Sequence, residues 1–146
     1  MFRINKKLEY ALMVIQYLTD KVTGNGASAR EISSRYQIPF DTTSKVMQLM
    51  STQGILRATQ GSHGGYSINK DLNSISFLGL AESILGPIAL AECLNNVNSC
   101  HLEKNCNIIS PLFWLNQKFL DLYKKLSIKE LLHSPLPIKE QPLVGA

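Results

Sequence analysis

Residues 28–69 read SAREISSRYQIPFDTTSKVMQLMSTQGILRATQGSHGGYSIN, and this stretch decides the fold. Ser28 followed three residues later by Glu31 is a capping-box pattern, in which a hydroxyl accepts a backbone N–H and the acid reaches back. It opens a short helix through Tyr36 with Ile32 inside. Gln37-Ile38-Pro39 makes a tight turn, because the residue before proline avoids helical geometry. A third helix from Phe40 carries Val46, Leu49 and Met50 inward and stops at Gly54. Two short helices around a brief turn, the second opening on polar residues, form a helix-turn-helix pattern. Ile55–Thr59 and Tyr66–Asn69 then read as two strands around Gln60-Gly61-Ser62-His63-Gly64-Gly65. A glycine-rich hairpin directly after a helix-turn-helix makes a winged helix. Its glycines permit positive φ and a close approach of backbone to phosphate.

Working outward, Ile4, Leu8, Ala11, Ile15 and Leu18 recur at helical spacing and predict an amphipathic helix over residues 3–21. On the other side, Ile75-Ser76 reads as a short strand or a helix start, and Phe77 to Leu85 as a helix ended by Gly86-Pro87. Leu112, Leu115, Phe119, Leu122 and Leu126 form a heptad seam widened by Phe113, Leu120 and Tyr123. So broad an apolar stripe on a terminal helix favours a dimer interface over an intramolecular core. The expected fold is mainly α with a small β-hairpin wing. It divides into a winged helix-turn-helix over residues 1–76, a cysteine loop with a long dimerisation helix over 77–132, and a flexible tail over 133–146.

The 146 residues suit one domain with a real core, at 45% hydrophobic and 18% charged. No apolar run approaches the roughly 18 residues of a membrane span. The basic N-terminus lacks a small-residue cleavage site, so the expected compartment is the reducing cytoplasm. Residues 1–60 carry eight basic against four acidic side chains, whereas residues 61–146 carry seven of each. The whole net charge of +4 therefore sits on the helix-turn-helix and wing, which suits nucleic acid as partner. No arrangement of nucleophile, base and pocket suggests an enzyme.

All three cysteines, Cys93, Cys100 and Cys106, fall within fourteen residues of polar sequence that lacks hydrophobic periodicity. Three thiols on one polar loop point to a soft metal or an iron–sulfur cluster, with one ligand position left open. A structural zinc site that includes His101, or no metal at all, is the alternative.

Taken in order, Leu8-Glu9-Tyr10-Ala11-Leu12, the helix-turn-helix, the wing Gly61-x-x-Gly64-Gly65-Tyr66, the cysteine triplet and the long apolar helix resemble the Rrf2 family of bacterial transcription regulators. The resemblance covers residues 1–132. It implies a homodimeric DNA-binding regulator, in most cases a repressor, reading a palindromic operator in double-stranded DNA. It also implies that Cys93, Cys100 and Cys106 hold a 2Fe–2S cluster, or else a 4Fe–4S cluster, that senses iron–sulfur, redox or nitric oxide status. Glu9 stands where relatives place a carboxylate that completes the ligand set from the other subunit. The DNA-facing set is Ser28, Thr42, Thr43, Ser44, Lys45 and Gln48 on the helices, with Arg57, Gln60, Gly61, Ser62 and His63 on the wing.

Three departures from the family pattern stand out. Six residues separate Cys93 from Cys100, where five are common. Ile109 stands where one branch has a ligand histidine. Gln60 stands where an arginine often precedes the wing glycine.

Overall fold

A computed structural model describes residues 3–21, 26–62, 64–96, 100–102 and 105–134. Helix α1 spans Lys6–Asp20 and is capped by the Asn5 side chain, which accepts from the Lys7 N–H. α2 (Ala29–Tyr36) and α3 (Phe40–Thr52) follow, joined by a turn in which Gln37 adopts a left-handed conformation with φ 53°. Ser28 caps α2 by accepting from the Glu31 N–H, as its sequence predicts. Strands β1 (Leu56–Thr59) and β2 (Gly65–Ile68) pair antiparallel, with Leu56 opposite Ile68 and Thr59 opposite Gly65. α4 (Phe77–Leu85), a 3-10 turn at Glu92–Leu94, α5 (Ile109–Lys125) and α6 (Ile128–Leu132) follow.

One core joins these elements. Leu8, Ala11, Val14 and Ile15 of α1 meet Ile32 of α2, Val46, Met47 and Met50 of α3, and Leu80, Ala81 and Ile84 of α4. Burial of such side chains supplies roughly 1.5–3 kcal/mol each before chain entropy is counted. α1 packs against both α3 and α4, and so couples the helix-turn-helix to the second half of the molecule. The wing joins the same core through Leu56, with Tyr66 and Ile68 packed against it, and Ala27 and Tyr66 exchange two backbone hydrogen bonds of 2.8 and 2.9 Å, which ties β2 to the start of α2.

Three expectations need correction. Leu49 faces outward at 38% exposure, while Thr43, Val46, Met47 and Met50, spaced i, i+3, i+4, i+7, form the buried face. Ile4 precedes α1 and is exposed, so it does not belong to that helix's core stripe. The C-terminal helix is not continuous through the seam: α5 ends at Lys125, and Leu126 turns extended. Ser127 caps α6, the Ile128 N–H donates to the Ile75 carbonyl, the Phe77 N–H donates to the Leu126 carbonyl, and Ile128 is fully buried. A polar capping residue and one buried isoleucine thus redirect the chain into the core. α5, about 25 Å long, packs by one face on α4, with Tyr123 edge-on to both Phe77 and Phe119. Leu115, Leu122 and Trp114 remain exposed, Trp114 at 63%.

Candidate nucleic-acid interface and cysteine segment

α3 presents Asp41, Lys45, Gln48 and Thr52 to solvent at i, i+4, i+7, i+11, one continuous face opposite the buried one. Lys45 and Gln48 are exposed, and Thr42 and Ser44 are half-buried on its flanks. Thr43 does not join them. It is fully buried, and its hydroxyl donates to the Pro39 carbonyl at 2.8 Å, so it braces the first turn of α3 and cannot meet a base. Asp41 on this face escaped the sequence reading; a carboxylate there can accept from a cytosine amino group and repels misplaced phosphates. Phe40, at the start of α3, lies under the Arg30 guanidinium, 5.3 Å from its ring centroid. That cation–π contact pins the start of α3 to α2.

On the wing, Arg57, Gln60, Gly61 and Ser62 are exposed, and Ser28 is exposed at the cap of α2. His63 lies outside the described residues. The wing's shape depends on two glycines. A Cβ on Gly64 would collide with the Thr59 carbonyl, and one on Gly65 would lie 2.8 Å from the Ala27 carbonyl carbon. Only a residue without Cβ lets the tip fold this closely and dock on Ala27.

α1 is locked to α2 by polar contacts at its C-terminal end. Glu31 accepts from the Tyr17 hydroxyl at 2.6 Å and from Lys21 Nζ at 2.7 Å. The Arg35 guanidinium lies 5.8 Å from the Tyr17 ring centroid, and Tyr36 packs edge-on against the same ring at 5.9 Å. Lys21 first, then Tyr17 and the Ser28 backbone, hold the Glu31 carboxyl below its ordinary value of 4.5. A carboxyl depressed in the folded state contributes stability that is complete above the unfolded value and lost as pH falls through the folded one. Glu31→Gln is therefore expected to lower the melting temperature at pH 7, by a margin that narrows as pH falls below the ordinary carboxylate value. A deficit that stays constant as the pH is lowered would assign the loss to geometry and not to charge.

The cysteines lie in the segment between α4 and α5. Cys93 sits in the 3-10 turn, and Cys93, Cys100 and Cys106 are all half-buried free thiols. Their donor chemistry suits the iron of a cluster, which thiolates hold. Among the described residues, no group of three or more His, Cys, Asp or Glu side chains stands together to hold a metal ion. Glu9 lies in the first turn of α1, partly exposed, and accepts from Lys6 Nζ at 2.6 Å. His101, next to Cys100, is exposed. No helix among the described residues is long and apolar enough to cross a membrane.

Residues 4–134 match the Rrf2 family, described as an iron-dependent transcriptional regulator. The chain is 28% identical over 145 residues to an HTH-type, Rrf2-like transcriptional regulator of Rhodobacter capsulatus, which spans 92% of this chain and 95% of that protein. It is 22% identical over 124 residues to the HTH-type regulator NsrR of Shouchella clausii, covering 84% of this chain and 83% of that one. Among solved structures, CymR, the global cysteine regulator of B. subtilis, superposes with a TM-score of 0.68 at 16% identity. That superposition covers 90% of this chain and 97% of CymR, and shows a shared fold.

Proposed function

Because the chain belongs to the Rrf2 family of transcriptional regulators, we propose that it is a homodimeric repressor whose grip on a palindromic operator is set by an iron–sulfur cluster. The observation that carries this reading is the set of three free, half-buried thiols confined to the one segment between α4 and α5. Cys93, Cys100 and Cys106 would hold a 2Fe–2S cluster, with a 4Fe–4S cluster as the second form, and Glu9 of the opposite subunit would complete it. Such a group supplies redox and nitric oxide reactivity, and its bond to a carboxylate opens more readily than its bonds to thiolate.

The protein's own residues do the rest. Lys45 and Gln48 enter the major groove, where a lysine reaches guanine acceptors or phosphate and a glutamine pairs with adenine. Thr42, Ser44 and Ser28 bind phosphate at helix starts, and Arg57, Gln60, Gly61 and Ser62 follow the backbone beside the wing. α1 carries Glu9 at one end and packs on α3. A displacement of α1 would therefore move the two recognition helices of a dimer relative to half-sites about 34–36 Å apart. The apolar side chains left exposed on α5, Leu115 and Leu122 among them, supply the surface for the second copy.

Two measurements test this reading. Anaerobically purified protein should be brown, with iron and sulfide in stoichiometric amounts, and holo and apo forms should give separate gel-shift titrations. A colourless protein holding one zinc per chain, or superimposable titrations, would defeat it. For the interface, Lys45→Ala should flatten the dependence of log affinity on log salt by about 0.9, the value of one phosphate contact. An unchanged slope would remove Lys45 from the phosphate contacts.

A further inference from the structure

α2 carries two arginines in different surroundings. Arg35 lies over the Tyr17 ring, whose hydroxyl joins the Glu31 and Lys21 pair. Arg30 instead meets the start of α3, where its guanidinium carbon stands 5.3 Å from the centroid of the Phe40 ring. Glu31, its neighbour in sequence, is taken up by Tyr17 and Lys21. Asp41, next to Phe40, forms no ion pair with it, and among the described residues no carboxylate or carbonyl accepts from its guanidinium. Both members of the pair are exposed, Phe40 at 44%, and Phe40 belongs neither to the core nor to the side chains packed against it. The ring's partner is therefore the cation. Contact with a π face restrains a long side chain while leaving its planar N–H fork unspent. An arginine held in this way is ready for bidentate binding of a phosphate. Its place suits one. Phe40 adjoins Asp41, where the solvent face of α3 begins that continues through Lys45 and Gln48. When the second helix of such a pair lies in a groove, the first crosses the neighbouring backbone.

From this geometry we infer that Arg30 clamps a phosphate of the duplex beside the recognition helix, and that Phe40 is the positioning residue that holds it there. Arg30 is absent from the DNA-facing set read from the sequence, because only its contact with Phe40 distinguishes it from Arg35. The clamp rests on the docking of α3 proposed for this chain, and is independent of any group the cysteines hold.

The test uses full-length protein purified anaerobically and mixed-sequence duplex DNA, since a phosphate contact carries no base preference. Affinity is measured against salt concentration. Arg30→Ala should weaken binding by about tenfold and flatten the slope of log affinity on log salt by about 0.9. Arg30→Lys keeps the charge, so it should retain the parental slope yet bind more weakly, because lysine lacks the planar fork. Phe40→Leu should also keep the slope and lose about threefold in affinity. It should lose nothing further where Arg30 is already alanine. A role confined to holding α2 against α3 would lower the melting temperature of Arg30→Ala and leave its salt slope at the parental value; that outcome overturns the clamp. An equal loss from Phe40→Leu with and without Arg30 overturns the positioning role of the ring. Lys45→Ala separates the clamp from the docking it rests on. If Lys45→Ala flattens the slope and Arg30→Ala does not, α3 lies in the groove and Arg30 is no clamp. If neither variant changes the slope, docking through α3 fails and the clamp fails with it.

Discussion

Replacing Cys93, Cys100 and Cys106 together by serine is expected to abolish anaerobic iron retention and the visible sulfur-to-iron absorption, while leaving the fold intact. The three thiols are half-buried and belong to no core cluster. Their loss should therefore cost about 1 kcal/mol or less per site. Serine oxygen is too hard and too weakly acidic to replace thiolate on iron. Operator affinity of the triple variant should equal that of the apo parent, whichever direction the switch runs. Cys93→Ser alone is the sharper experiment, because six residues separate Cys93 from Cys100 where five separate Cys100 from Cys106. If Cys93→Ser kept full iron content and colour, Cys93 would not be a ligand. If the triple variant stayed brown, the cysteine segment would not be the site.

The second large effect belongs to the wing. Gly65→Ala should lower stability by roughly 2–4 kcal/mol, combining backbone strain with the loss of two hydrogen bonds. In a chain of this size that corresponds to about 5–12 °C in melting temperature. Gly65 has φ +150°, and its new Cβ would meet the carbonyl carbon, oxygen and nitrogen of Ala27 at 2.8, 2.9 and 3.0 Å. All three are backbone atoms, so no side chain can swing aside. The strand must retreat from Ala27, breaking the paired hydrogen bonds between Ala27 and Tyr66. Operator affinity should fall at least about tenfold, since a displaced wing loses its phosphate contacts. Gly61→Ala is the control: φ there is +113°, but nothing lies within 4 Å of the added Cβ. Its cost should be limited to conformational strain, roughly 1 kcal/mol. Equal melting temperatures for the two variants would show that docking on Ala27 does not hold the wing.

Much of this molecule was legible before any coordinates. Ser28 and Glu31 mark the start of α2, Pro39 the start of α3, and the glycines the wing, because caps and turns are local chemistry within three or four residues. The family was legible from the order of those parts together with the cysteine spacing. The interior of α3 was less so. Val46, Met47, Leu49 and Met50 span a wide arc, and periodicity alone does not say where its centre lies. Packing against α1 sets that centre so that Thr43 and Met47 go in and Leu49 comes out. The misplacement of Thr43 followed, since a hydroxyl near a helix start serves DNA or its own backbone equally well by sequence.

Local sequence carries the winged helix-turn-helix, the basic charge of the first sixty residues and the confinement of every thiol to one segment. Tertiary structure alone decided that the chain breaks after Lys125 and returns through Ile128 to the core. It also decided that Asn116 is the polar residue buried along α5, and that Arg30 rests on the ring of Phe40. The division has a physical cause. Caps, turns and charge depend on neighbours along the chain, whereas burial depends on side chains brought together from segments far apart in it.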